Sequence, residues 1–178
     1  MATATKATVN QATENNSPAN RGGKYLSFAL GREEYAIRVL KVREIVKLQH
    51  ITSVPDTPHE VRGVINLRGK VIPVIDLRLK FGMPDPEYGQ RTCIIVVEVG
   101  TNQHGPMGII VDEVSEVLTL TESDTQNTPD FGNGVETPFL LGLAKVKDSV
   151  KILLDIDQVL MSSDLIGLNA LARETAEA

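Results

Sequence analysis

The sixteen residues Gly63-Val-Ile-Asn-Leu-Arg-Gly-Lys-Val-Ile-Pro-Val-Ile-Asp-Leu-Arg78 leave little choice of local structure. Two runs of β-branched residues, which suit a pleated surface, meet at Arg68-Gly69. Glycine there can take the positive φ of a tight turn, so the block reads as a hairpin. Pro73 has no N–H for a ladder, which predicts an edge or a bulge at that point. The plan recurs. Laying Gly63 on Gly142, an offset of 79, pairs Val71 with Val150, Arg68 with Lys147 and Asp76 with Asp155 without a gap. A second offset, 72, lays Val42 on Val114, Ile37 on Ile109, Val39 on Val111, Glu44 on Glu116 and Ile45 on Val117. Two blocks agreeing in order imply a duplication. Any two hairpins resemble each other somewhat, but the expectation is two small all-β units in tandem, each a five-stranded barrel whose closure hides strand edges.

The rest of the chain fits that plan. Residues 1–23 hold one Val as their only large apolar group besides the initiating Met, too little to offset ordering entropy, and read as a disordered tail. Tyr25–Leu30 is a strand ending at Gly31, continued by Tyr35–Val39. Apolar residues at 39, 42, 45 and 46 fit a turn of helix leading into a strand at Arg43–Leu48, and periodicity does not separate the two. Pro58-His-Glu-Val-Arg62 could be a short helix with proline first. Thr92–Val99 is a buried strand, Met107–Leu120 a strand, turn and strand, and 121–137 a polar loop. Phe139–Leu160 is a hairpin running into a short helix. Beyond it Leu165, Leu168 and Leu171 follow a capping serine at helical spacing, predicting a last helix laid on the body and fraying near Arg173. The expected organisation is tail 1–23, a domain over 24–160 with a boundary between barrels near 90, and a C-terminal helix and tail over 161–178.

Charge and composition narrow the function. A net charge of −5 and a pI near 5.2 lack the basic footprint of a nucleic-acid binder. The halves differ, with 11 basic and 8 acidic groups over 24–90 against 4 and 11 over 91–160, so they could face different partners. Cys93 has no second cysteine to pair with, which fits a reducing compartment. The N-terminus lacks the apolar core of a signal peptide, and no apolar run approaches the roughly 20 residues needed to cross a bilayer. A cytoplasmic protein without membrane insertion is expected.

Chemistry is conspicuous by its absence. Gly132-Asn-Gly134 is followed by Val-Glu-Thr and fits neither nucleotide fingerprint. His50, His59 and His104 are scattered and form no metal motif, so neither metal nor cofactor is expected. Cys93 heads an apolar strand and reads as core. Asp76 and Asp155 could serve as paired general bases. Because they are repeat-related, a structural role in accepting turn N–H groups is favoured, and no catalytic residue is assigned.

The Gly63–Arg78 block resembles the signature of the CheW family of chemotaxis coupling proteins. So do Glu34-Tyr-Ala-Ile-Arg-Val-Leu-Lys-Val-Arg-Glu-Ile45 and Gly108-Ile-Ile-Val-Asp-Glu-Val-Ser-Glu-Val117. The likeness runs from about Lys24 to Leu160. It is similar to free-standing members, since a tethered receiver domain as in CheV, or a kinase catalytic domain as in CheA, would need many more residues. The resemblance implies two intertwined SH3-like five-stranded β-barrels around a common core, with short helices. It implies a non-enzymatic adapter, recruited to membrane-associated receptor arrays, with two partners: the cytoplasmic hairpin tip of a chemoreceptor and the regulatory domain of the histidine kinase CheA. Carried over by residue, Arg68 is the leading receptor-binding candidate, with Val42, Glu44, Arg62 and Gly63 near the same groove. For the kinase the resemblance implies the second barrel's edge around Gly108, with Val111. Two rivals stand beside this: an adapter of another receptor–kinase pathway such as surface motility, and a small β-barrel enzyme using Asp76 or Asp155 as base.

Overall fold

The protein is described by a computed structural model covering residues 21–84, 87–100, 105–128 and 139–160. In chain order the strands are β1 (Gly23–Leu30), β2 (Glu33–Arg38), β3 (Val42–Lys47), β4 (Val61–Leu67) and β5 (Lys70–Asp76). A one-turn helix α1 (Leu77–Lys80) precedes β6 (Cys93–Glu98), β7 (Pro106–Val111) and β8 (Glu113–Leu120). Then come β9 (Thr125–Gln126), β10 (Leu140–Val146), β11 (Ser149–Leu154) and α2 (Ile156–Leu160). A 3-10 turn at Val39–Lys41 leads into β3, so both readings of that stretch hold in sequence.

The strands form two sheets, ordered β3-β6-β7-β5-β4 and β8-β1-β2-β11-β10-β9. The chain changes sheet at Val39–Lys41, again at Asp112, and the N-terminal hairpin completes a sheet otherwise built from the C-terminal third. The boundary expected near residue 90 falls between α1 and β6, inside the segment that builds the five-stranded sheet. The architecture is therefore the interwoven pair of SH3-like barrels. The second sheet carries a sixth strand, two-residue β9, whose counterpart in the first is the single bridge Thr52↔Val64.

The duplication is visible in the pairing. The parallel contact Val74↔Gly108 maps, by the offsets 79 and 72, onto Leu153↔Ala36. Both hairpins bulge at the same place, between Val61 and Gly63 and between Leu140 and Gly142. Both turn at a positive-φ cation, Arg68 (φ 51) and Lys147 (φ 57).

Alternation along the strands sorts side chains into three apolar layers. Ile72, Val74, Ile94, Val96 and Ile110 fill the first barrel, while Tyr25, Ala36, Leu118, Ala144 and Leu153 fill the second. The opposite faces of the same strands, with Phe28, Ile37, Ile75, Ile95, Ile109 and Leu154, make a shared layer between barrels. Strands buried on both faces read as continuous apolar runs, which is why the sequence shows so little polar alternation.

Four local expectations need correction. β5 is an interior strand, flanked by β4 and β7. Pro73 is tolerated there because its partner Val64 turns its own N–H and C=O to Thr52, marking a pair without hydrogen bonds, and pairing with β7 begins only at Val74. Pro58–Arg62 is no helix: Val61 N–H closes a turn onto Pro58, and Val61 is drawn into the ladder with Ile75. Arg21, placed in the tail by the sequence, is buried, donates to Asn127 and accepts from the Tyr25 hydroxyl, while residues 1–20 lie outside the described residues. Helix α1 was not foreseen. The predicted C-terminal helix and His104 lie outside the described residues.

Candidate functional site

Arg68 sits at the tip of the β4–β5 hairpin because only a left-handed residue pair closes that turn, with Gly69 N–H held by the Asn66 side chain. Its side chain is 71% exposed and donates to the Glu44 carboxylate on β3. β3 is the far edge of the same sheet, so this ion pair spans the two sides of the barrel mouth. The guanidinium holds the Glu44 carboxyl below the ordinary carboxylate value, chiefly through the hydrogen bond. Arg43, Leu67, Lys70, Val96 and Pro106 complete a shallow concavity of about 300 Å³ around the pair.

Val42 lies at the start of β3, opposite Val97, half-buried against the shared layer. Two residues before it, Leu40 is 93% exposed in the 3-10 turn. With half-buried Val42 it places apolar surface at the entry to β3. Sequence reading passed it over because it falls off the apolar spacing 39, 42, 45, 46.

Arg62 and Gly63 are not brought to this rim. They lie at the other end of β4, five or six residues from Arg68, roughly 16–20 Å along a strand. Gly63, at φ 141, lies against the backbone of Thr52, and a Cβ there would overlap the Thr52 carbonyl oxygen. The close approach it permits is to its own chain. Arg62 lies over the Tyr88 ring, 5.6 Å from its centroid, with Nε 3.8 Å from Asp76. Tyr88 donates to Asp76 at 2.7 Å, and burial followed by that bond pushes the Tyr88 hydroxyl well above its usual range. Tyr88 escaped sequence reading because it sits in a loop without periodicity.

Gly108 and Val111, expected at an edge facing the kinase, lie inside a sheet. Both are buried in β7, the middle strand of the five-stranded sheet. A Cβ on Gly108 would come within 2.8 Å of Ile94 Cγ2, so glycine is there to let strands pack. β7 offers no edge to a partner.

The carboxylates that could have been catalytic have other partners. Asp76 is fully buried, caps α1 through Arg78 N–H and accepts from Tyr88. Asp155 meets Gln158 N–H at the start of α2. Among the described residues no group of three His, Cys, Asp or Glu could hold a metal ion, and no helix is long and apolar enough to cross a membrane. Cys93 is half-buried against the shared layer, and burial raises its thiol.

The CheW-like domain family matches residues 24–164. The chain belongs to the CheW family of chemotaxis coupling proteins. It is 38% identical over 152 residues to the chemotaxis protein CheW of Klebsiella aerogenes, covering 85% of this chain and 90% of that one. To the CheW of Bacillus subtilis it is 40% identical over 109 residues, 61% and 68% of the two chains. The crystal structure of the scaffolding protein TtCheW from Thermoanaerobacter tengcongensis superposes with a TM-score of 0.70 at 34% identity, over 80% of this chain and 95% of that one.

Proposed function

We propose that this CheW-family adapter joins a chemoreceptor to a histidine kinase without a catalytic step of its own, and that the receptor docks at the rim formed by Arg68, Glu44, Val42 and Leu40. The observation carrying this reading is the exposed Arg68 guanidinium, presented on a fixed turn and held by one carboxylate. A planar, always-charged donor fork suits a carboxylate on a helical hairpin, which would exchange places with Glu44. Leu40 and Val42 supply the apolar area that such a helix needs. Arg62 and Gly63 act indirectly, by fixing the bulge from which β4 projects Arg68.

The kinase regulatory domain docks elsewhere in this reading. Val117 and Val150 are exposed large apolar residues on the second barrel. They are the repeat counterparts of Ile45 and Val71, and they take the place of buried Gly108 and Val111.

The test is titration of wild type, Arg68→Glu and Val117→Arg against a receptor signalling fragment and, separately, the CheA regulatory domain. Arg68→Glu is expected to lose roughly thirtyfold or more in receptor affinity, the scale for truncating a charged interface partner. Val117→Arg is expected to spare the receptor and weaken the kinase. Unchanged receptor affinity in Arg68→Glu, with a normal melting curve, defeats the site.

A further inference from the structure

Between the barrels, and sharing no residue with the concavity around Arg68, a cleft of about 560 Å³ is walled by Tyr35, Phe81, Phe139, Leu140, Ile152 and Val159. Its aromatic rings continue a stack that begins inside the protein: Phe28 to Tyr35 at 6.2 Å, Tyr35 to Phe81 at 5.7 Å, Phe81 to Phe139 at 5.7 Å. Phe28 and Tyr35 are buried, while Phe81, Phe139, Leu140 and Ile152 are only partly so, and the apolar wall therefore runs from the core out to solvent. Two longer polar side chains also line it, Lys80 at the end of α1 and Gln158 on α2. The Lys80 ammonium has three donors and uses one on the Glu60 carboxylate at 3.5 Å, a long contact.

We propose that this cleft binds a small amphiphile carrying one negative charge, a free long-chain carboxylic acid, with its hydrocarbon chain on the aromatic wall and its carboxylate on Lys80. Size selects the class of ligand. Small-molecule sites hold roughly 300–1,000 Å³ and are mostly apolar with a few placed polar groups, which is the make-up found here. A stable protein partner engages about 20–30 residues a side, and eight described residues line this cleft. Charge selects the head. Lys80 is the one cation among those eight, and Glu60 beside it already answers part of its charge. A single carboxylate fits what remains, whereas a dianion such as a phosphate monoester meets repulsion from Glu60. The wall selects the tail. Each methylene taken out of water raises affinity by up to about fourfold, so an unbranched chain gains with every carbon that lies along the rings.

The experiment uses the full chain with the methyl groups of Ile152, Val159 and Ile65 followed by NMR. Octanoate, decanoate and dodecanoate are titrated below their micelle thresholds, with decanol as the uncharged control. The acids are expected to shift Ile152 and Val159 saturably and to leave Ile65, inside the first barrel, in place. Affinity should rise about two- to fourfold per methylene along the series. Lys80→Gln, a change at a helix end outside the core, should keep a normal melting curve and weaken decanoate about tenfold, the scale of one charge-assisted hydrogen bond, while decanol binds as before. Ile152 and Val159 methyls that stay still, or that move only with micelles or vesicles, overturn the proposal. So do Ile65 shifts of equal size, an affinity flat from octanoate to dodecanoate, and a Lys80→Gln variant that loses decanoate and decanol alike or neither.

Discussion

Gly63 shows how far a single position can be understood from both ends. Its left-handed φ and the Thr52 carbonyl against it mean that an added methyl meets strain and overlap together. Gly63→Ala is expected to cost at least about 2 kcal/mol, read as a lower urea midpoint. Gly142→Ala repeats the defect against the Gln126 carbonyl, where the Cβ would stand 2.6 Å away, and should cost less because the approach is looser. The Arg68–Glu44 pair predicts a pH signature instead. A carboxyl held below its ordinary value of 4.5 keeps the contact at neutral pH and loses it as pH falls through the depressed value. Carbon NMR of Glu44 should titrate below 4.5 in wild type and return toward it in Arg68→Ala. The sequence marks Arg68 and Gly63 plainly, because a turn cation and a bulge glycine are local necessities. It does not say that Arg68 would meet Glu44, since that contact depends on the two edges of the sheet curling together.

At the level of elements, each barrel's returning hairpin ends in an aspartate that starts a helical turn. Asp76 has the harder task, being buried and shared among Arg78 N–H, Tyr88 and Arg62. Tyr88→Phe leaves one buried carboxylate oxygen without its hydroxyl donor and should cost about 1–3 kcal/mol in denaturant unfolding. Asp155→Ala removes only a cap and should cost about 1 kcal/mol. The hairpins were legible because period-two runs and glycine turns are strong local signals. Helix α1 was not, because Leu77-Arg-Leu-Lys80 is too short to show a period and only Asp76 before it hints at a cap. Pro73 misled for a related reason. A missing N–H forbids one hydrogen bond on one side, and the sequence does not reveal which side faces the ladder.

For the whole molecule, two latches clamp the barrels with opposite polarity. Asp112 at the β7–β8 crossover accepts from Gly31 N–H and from Arg78 on α1. On the repeat-related seam Asp157 on α2 accepts from Gly100 N–H and pairs with Lys41 at the β2–β3 crossover, at 2.6 Å. Helix and crossover have exchanged charges between the copies, while each carboxylate still holds a hairpin glycine. Asp112→Asn and Asp157→Asn are therefore expected to weaken stability by similar amounts and additively, because they share no partner; a double mutant far from the sum would show one seam instead of two. The interwoven topology reaches further than stability. Gly23 pairs with Leu120 and Glu34 with Lys151, so the β1–β2 hairpin waits for strands that the ribosome makes much later. The five-stranded sheet, drawn from one continuous stretch, can close meanwhile. Birth order thus leaves the second barrel as the late and vulnerable half, and lesions in β1–β2 or in β10–β11 should produce the same misassembled nascent chain.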